Sequence, residues 1–177
     1  MLFLDIECYS NYFLISFLHH KTGKVAAFEL HDTQPLQIDA IKKLMNNYTT
    51  VSFNGLSYDL PMIAAALKGF SNARLKSLSD SIIKSNLPSW RVCKDNNIFV
   101  PKSWDHIDLI EVAPGQASLK IYGRRMNAPK MQDLPLEPDA IIQPEQFKLM
   151  REYCANDLRT TQMLYEKLSQ QIALRQS

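Results

Sequence analysis

Two carboxylates interrupt the first apolar segment of the chain, LFLDIECY. Asp5 and Glu7 alternate there with Leu4 and Ile6. Because successive side chains of a strand point to opposite faces, a strand in this segment places both acids on one face. Two neighbouring carboxylates raise each other's pKa unless a cation neutralises them. A hard divalent metal ion is the simplest explanation for the pair, and an exposed edge strand with two solvated acids is the alternative.

Two further groups of polar residues occur at element boundaries. In SFNGLSYDLP, Asp59 follows a strand and a glycine-containing turn and opens a helix, where capping of that helix is an alternative explanation for the acid. In YCANDLRTT, Tyr153 and Asp157 are four residues apart and therefore share one helical face. Apolar neighbours direct that face to the core, so an acid on it needs a partner.

The elements that must position these residues alternate between strands and helices. Strands are predicted over residues 1–7, about 11–19 and about 24–30, with HKTGK as the turn before the third. The later predicted elements are a helix in QPLQIDAIKKLMNN, a strand in TTVSFN, a helix in YDLPMIAAALKGF, a helix over about 72–85, a strand in HIDLIEV and a helix from about 144 to 173. This order predicts one α/β domain over residues 1–177. Its mixed five-stranded sheet is flanked by helices, and its first three strands are antiparallel.

Composition narrows the class of protein. The chain has 177 residues, of which 46% are hydrophobic and 21% charged, as expected of a globular domain with a sizeable core. Its three cysteines are far apart, which indicates neither a disulfide framework nor a zinc ribbon. Since no apolar run approaches the roughly 20 residues of a membrane span and no signal peptide is visible, we expect a cytoplasmic protein without membrane contact.

The middle of the chain is basic. Between residues 68 and 94 there is a single acid, Asp80, among several lysines and arginines, and SLKIYGRRMNAPK contains four basic residues and no acid. Such stretches are often ordinary solvated surface, but they also suit a polyanion, and Trp90, Trp104 and Tyr122 could stack on bases. The few glycines form no dinucleotide- or ATP-binding motif, and no Ser or Cys lies in a nucleophile elbow.

Taken in order, the three groups of polar residues resemble the motifs of a known superfamily. Asp-x-Glu on the first strand, Asn-x3-Tyr-Asp before a helix and Tyr-x3-Asp on a late helix are similar to the motifs of the DEDD 3′–5′ exonucleases, in the branch with tyrosine in the third motif. The resemblance extends over nearly the whole chain and implies a ribonuclease-H-like fold. DIECYSNYF and SLKIYGRRM further resemble the exonuclease portions of bacteriophage DNA polymerases.

The resemblance also implies a set of catalytic residues. They are Asp5, Glu7, Asp59, Tyr153 and Asp157. Asp5 would bridge two Mg²⁺ or Mn²⁺ ions, and Tyr153 would orient the attacking water. Glu7 and Asp157 would complete the site of the first ion, and Asp59 would hold the second. Such ions activate water and stabilise the attacking and leaving oxygens of an in-line displacement.

Other residues are expected to bind substrate or to support the site. Asn54 and Tyr58 match motif positions that line the terminal nucleotides in the family, and the residues just past the first strand that could do likewise are Tyr9, Asn11 and Tyr12. Asp108 lies in an apolar strand and matches no motif, so we expect it to act in the core or behind the metal ligands. We expect a structural role for His106.

The expected activity is metal-dependent hydrolysis of phosphodiester bonds from the 3′ end of single-stranded or frayed DNA. The products would be nucleoside 5′-monophosphates, and the role would be proofreading in DNA replication beside a polymerase domain or subunit, in the host cytoplasm for a viral protein. The alternatives are an RNA-trimming exonuclease of the same chemistry and a non-catalytic nucleic-acid-binding domain. Motif spacing does not distinguish DNA from RNA, because contacts to the 2′-OH cannot be derived from it.

Overall fold

The sheet that carries Asp5 and Glu7 is mixed and has five strands. The computed structural model describes residues 1–115, 117–126 and 135–177. Its strands are β1 (Leu2–Tyr9), β2 (Tyr12–His19), β3 (Val25–Leu30), β4 (Thr50–Ser52) and β5 (His106–Asp108). Their spatial order is β3-β2-β1-β4-β5; β1, β2 and β3 are antiparallel, whereas β4 and β5 run parallel to β1. The predicted α/β class and the mixed five-stranded sheet are confirmed.

Helices cover both faces of this sheet. In chain order they are α1 (Ile38–Asn47), α2 (Asp59–Leu67), α3 (Asn72–Lys84), α4 (Ser89–Asp95), α5 (Leu119–Arg125), α6 (Phe147–Lys167) and α7 (Ser169–Gln176). Two short 3₁₀ turns cover Leu109–Glu111 and Pro144–Gln146. None of the helices in the described part of the chain has both the length and the apolar character that a membrane span requires.

The alternation of side chains along β1 divides the core into two layers. Leu4 and Ile6 pack with residues of α1 to α4 on one side of the sheet. Phe3 packs on the other side with Leu158 of α6 and residues of α5 and α7. Because side chains two apart share a face, Asp5 belongs to the α6 side of β1 together with Phe3. The pattern of the strand thus directs its acids towards α6.

Two predicted elements end differently from expectation. The strand predicted in HIDLIEV stops at Asp108, because the Asp108 carboxylate accepts a hydrogen bond from the Ile110 N–H at 3.2 Å and the chain enters a 3₁₀ turn. The helix predicted from about 144 to 173 begins as a 3₁₀ turn and is divided at Leu168, whose φ of −94° and ψ of 9° depart from helical values. Leu168 and Ile172 are both buried in the core layer below α6, so the bend buries the apolar side of α7.

Two helices were not predicted at all. α4 and α5 have seven residues each, which is too short for a clear helical period. Val92 and Cys93 of α4 are buried, as is Tyr122 of α5. Tertiary packing of these few side chains stabilises both helices, and packing of this kind cannot be derived from a short stretch of sequence.

Candidate active site

Asp5, Glu7 and Cys154 lie at the centre of an acidic cluster. One ligand atom from each of the three side chains lies within 4.8 Å of the other two. The Cys154 thiol is buried and donates a hydrogen bond to Asp5 Oδ2 at an Sγ–O distance of 3.4 Å. Burial raises the pKa of this thiol well above its ordinary value. Cys154 is therefore a protonated donor to Asp5, a contact that the acidic motifs did not predict.

The other two predicted ligands approach the same cluster. Asp59 is buried at the start of α2, and Asp157 lies on α6. Burial raises the pKa of Asp5 well above its ordinary value, and repulsion from Glu7, Asp59 and Asp157 adds to the rise. Burial, then repulsion from Asp157 and Asp59, does the same for Glu7. Asp5 and Glu7 therefore lie within 4.8 Å of each other, and Asp59 and Asp157 lie close enough to repel both.

The pKa values of Asp59 and Asp157 are also raised, so a nearby cation would stabilise the charged forms of both carboxylates. Burial raises the pKa of Asp59 to about 7, with repulsion from Asp108 adding to the rise. Burial raises the pKa of Asp157 to about 6, although a nearby lysine and a hydrogen bond from Tyr153 oppose the rise. Carboxylate oxygens are the ligands that Mg²⁺ and Mn²⁺ prefer. The donor set therefore fits hard divalent cations, and these would remove the repulsion.

Asp108 holds the loop that leads from β4 to Asp59. Its carboxylate accepts hydrogen bonds from the backbone N–H of Asn54 at 2.7 Å and of Leu56 at 2.9 Å. Asn54 has a φ of 64°, a left-handed conformation that asparagine adopts more readily than most residues. Asp108 thus fixes the path of the chain into α2, which agrees with the supporting role expected from the sequence.

Gly55 allows this loop to pass close to Ser52 and His106. A Cβ atom at position 55 would lie 1.8 Å from Ser52 Oγ and 2.7 Å from His106 Nε2. These two atoms are 3.1 Å apart, and Ser52 also hydrogen-bonds to Asp59. Tyr58, and not Asp59, is the N-cap residue of α2, but Asp59 lies in the first turn of the helix, where the helix dipole favours a carboxylate. The structural alternative for Asp59 therefore stays open, and His106 has the structural role expected of it.

A cleft of about 610 Å³ opens beside Asp5 and Asp59. Asn54 and Tyr58, two of the predicted nucleotide-binding residues, line it. The Tyr58 hydroxyl lies 2.7 Å from Ser79 Oγ, and this contact fixes the ring in the wall of the cleft. The cleft is also lined by residues 82–83 and 87–89, which belong to α3, α4 and the loop between them.

Asn11 and Tyr12, also predicted to bind nucleotides, make other contacts. The Asn11 side-chain amide donates a hydrogen bond to the Ile142 carbonyl at 2.8 Å and accepts one from the Ile142 N–H at 2.9 Å. The buried Tyr12 donates its hydroxyl to Glu29. Neither residue is among those that line the cleft. Their part in nucleotide binding stays a prediction, and their visible contacts are structural.

Tyr9 and Tyr153 present buried hydroxyl groups to the acidic cluster. The Tyr153 hydroxyl hydrogen-bonds to Asp157. Burial raises the pKa of Tyr153, and repulsion from Asp157, Glu7 and Asp5 raises it further. Burial and repulsion from Glu7 raise the pKa of Tyr9 as well, and its hydroxyl has no hydrogen-bond partner among the described residues. Both phenols therefore stay protonated and can donate to an anion.

Lys120 is a candidate functional residue that the motifs did not reveal. Its Nζ atom lies 5.2 Å from the centroid of the Tyr153 ring. Its positive charge opposes the burial-driven rise in the pKa of Glu7 and of Asp157. The sequence indicated Lys120 only as part of the basic stretch SLKIYGRR, most of which forms α5. Lys130, in the continuation of that stretch, lies outside the described residues.

The three aromatic residues expected to stack on bases differ in exposure. Trp90 is 64% exposed, whereas Trp104 is partly buried. Tyr122 is buried, and its hydroxyl donates to the backbone carbonyls of Pro114 and Gly115. The expectation that Tyr122 could stack on a base is therefore wrong, because its ring packs in the core.

No family model, curated protein or solved structure matches this chain. The interpretation of the acidic cluster therefore depends on the geometry and chemistry of its own residues.

For the phosphodiester hydrolysis expected from the sequence, Lys120→Met should lower turnover by about tenfold, because one positive charge beside the acidic cluster is lost. The concentration of Mn²⁺ that gives half-maximal activity should not rise, since the change removes a positive charge near the four carboxylates. Steady-state assays across a series of Mn²⁺ concentrations measure both quantities. If the variant regains full turnover in excess Mn²⁺, Lys120 acts only by ordering the four carboxylates of the cluster.

The raised pKa values also predict how stability depends on pH without divalent cations. An aspartate in the unfolded chain has a pKa of about 3.9, whereas folding raises that of Asp59 to about 7. Between these values the folded state binds more protons than the unfolded state, so the free energy of unfolding falls as the pH rises. The Asp59 carboxyl should therefore make the melting temperature in EDTA lower at about pH 7 than at about pH 5.

The isosteric variant Asp59→Asn isolates this effect, because it removes the titrating group. Its melting temperature in EDTA should fall less over the same pH range than that of the wild type. Added Mn²⁺ should raise the melting temperature of the wild type near neutral pH and should stabilise the variant less. Identical pH profiles for the two proteins would contradict the assignment.

Proposed function

We propose that this protein is a 3′–5′ exonuclease with a ribonuclease-H-like fold that uses two Mg²⁺ or Mn²⁺ ions. The observation that carries the proposal is the convergence of Asp5, Glu7, Asp59 and Asp157, whose pKa values are all raised by burial. When bound, the ions would activate water and stabilise the attacking and leaving oxygens of phosphodiester hydrolysis. The four carboxylates would hold them.

The topology supports the finer description of the fold. Three antiparallel strands are followed by two strands parallel to β1, in the order β3-β2-β1-β4-β5. Two of the acids lie on β1, one begins the helix after β4, and one lies on the long helix α6. This is the placement that the resemblance to the DEDD exonucleases implies.

Residues of the chain itself would orient the reactants. Tyr153, held by its hydrogen bond to Asp157, presents a hydroxyl that can position the attacking water. Asn54 and Tyr58 line a cleft whose volume falls in the range of about 300–1,000 Å³ typical of small-ligand sites. Exposed Ile83 and Leu87 add to the cleft an apolar surface suited to a base. We therefore place the 3′-terminal nucleotide in this cleft.

The proposed substrate is a single-stranded or frayed DNA end, and the proposed role is proofreading beside a DNA polymerase. A terminal nucleotide can enter the cleft only if it is unpaired, and mispaired ends fray more readily than paired ends. The test incubates 5′-labelled single-stranded DNA and RNA with the protein and Mn²⁺ or Mg²⁺. We expect a descending ladder of products, faster removal of a mispaired than of a paired 3′ terminus, and no cutting of a circular strand.

Other outcomes identify the alternatives. Efficient cutting of the circle would overturn the exonuclease proposal and indicate an endonuclease with the same metal chemistry. A ladder on RNA with no cleavage of DNA would indicate an RNA-trimming enzyme. Binding without hydrolysis under every metal condition would indicate a non-catalytic nucleic-acid-binding domain.

A further inference from the structure

A second groove lies at the far end of α4 from the acidic cluster. α4 begins at Ser89, which lines the cleft beside Asp5, and it ends shortly before Asn97, which lines the second groove. This groove has a volume of about 340 Å³. α4 therefore connects two concave surfaces.

The second groove combines positive charge with an exposed aromatic ring. Lys42 of α1 and Lys68 after α2 line it, together with Phe99, which is 79% exposed. The Lys68 ammonium donates to the Asn97 carbonyl at 2.6 Å. Within the part of the chain that the structure describes, no carboxylate lines the groove and neither lysine forms an ion pair. The groove is thus chemically suited to an anion that carries flat rings.

The exposed face of α4 has the same character. Trp90 and Lys94 are four residues apart and so share one face of the helix. Val92 and Cys93 occupy the buried face, so the Trp90 ring stays in solvent, at 64% exposure. Both α4 and the groove therefore carry an exposed aromatic ring together with lysines. A continuous exposed apolar patch would instead mark a site for a protein or a membrane.

The geometry points to an extended binding surface for a single nucleic-acid strand, which we call the α4 track: Lys42, Lys68, Trp90, Lys94 and Phe99. This inference rests on the proposed function, since the 3′ end of the strand would lie in the cleft and its 5′ part along the track. The seven residues of α4 span about 10 Å, the length of about three stacked nucleotides. The rings would stack on bases, and the ammonium groups would contact phosphates.

Binding without hydrolysis tests the α4 track directly. The probe is a 5′-fluorescein-labelled DNA strand of about 15 nucleotides, longer than the cleft and track together, measured by anisotropy in EDTA. Phe99→Ala and Trp90→Ala should each weaken binding about tenfold, the loss of one stacked base. Lys68→Ala should lower the slope of log affinity against log salt concentration by about 0.7, the loss of one phosphate contact.

Matched controls lie on the opposite side of the sheet. Leu174 of α7 is 77% exposed, and Lys167 of α6 is exposed as well. Leu174→Ala and Lys167→Ala should change neither the affinity nor its salt dependence. If the track variants bind the long strand as tightly as the wild type, the inference is overturned. The groove would then be a candidate site for a protein partner.

Hydrolysis with Mn²⁺ separates this inference from the proposed function. The wild type should have a lower KM for the long strand than for a trinucleotide, and the track variants should lose that preference. Wild-type protein that hydrolyses no strand would overturn the proposed function. The anisotropy measurements would still test whether the α4 track binds the strand. A preference that persists in all track variants would overturn the inference alone.

Discussion

Replacing Asp5 with asparagine is expected to reduce hydrolysis by at least about 10³-fold, because the site loses one of its proposed metal ligands. Asp5 lies within reach of Glu7 and Cys154 and is repelled by Asp59 and Asp157. Removing its charge lowers that repulsion. The metal-free protein should therefore melt at a higher temperature than the wild type near neutral pH. Nuclease assays and thermal unfolding in EDTA measure the two effects.

Asp39→Asn is the matched control for this change. Asp39 lies exposed in the first turn of α1, which belongs to the other core layer. The control should keep wild-type activity and wild-type Mn²⁺ stabilisation. If Asp5→Asn loses its fold together with its activity, Asp5 has a structural role and the metal-ligand assignment fails.

Tyr153→Phe is expected to reduce turnover by about 10²-fold, the scale of one catalytic group. The substitution keeps the buried ring packed against α5 but removes the hydroxyl that hydrogen-bonds to Asp157. Because the four carboxylates remain, stabilisation by Mn²⁺ should be preserved. Single-turnover assays at saturating Mn²⁺ measure the loss in the chemical step.

Tyr122→Phe provides a control of the same chemical type. Tyr122 is also buried, and its hydroxyl donates to the Pro114 and Gly115 carbonyls. Its loss should cost about 1 kcal/mol of stability and leave turnover unchanged. If the two variants behave alike, the Tyr153 hydroxyl serves packing and not the reaction.

The local relations within the site could be derived from the sequence, because they depend on the period of a single element. Alternation along β1 places Asp5 and Glu7 on one face, and the spacing of Tyr153 and Asp157 places them one turn apart on α6. The start of α2 at Asp59 follows from the turn residues before it. The mixed sheet likewise follows from the order of strands and helices.

Contacts between distant elements could not be derived in this way. Cys154 and Lys120 reach the acids only because α6 packs on β1 and α5 packs on α6. Asn11 has a turn-like sequence context, yet its amide is paired with Ile142, far away in the chain. α4 and α5 are too short to be stable without the core that surrounds them.

The sequence by itself determined which residues can carry the chemistry and which of them share a face of one strand or one helix. The tertiary structure alone decided that four acids from three elements meet, that Cys154, Lys120 and Asp108 lie near them, and that a cleft opens beside Asp5 and Asp59. The physical reason is the range of the interactions. Side-chain direction within an element follows from backbone geometry, whereas the packing of one element on another depends on the whole core.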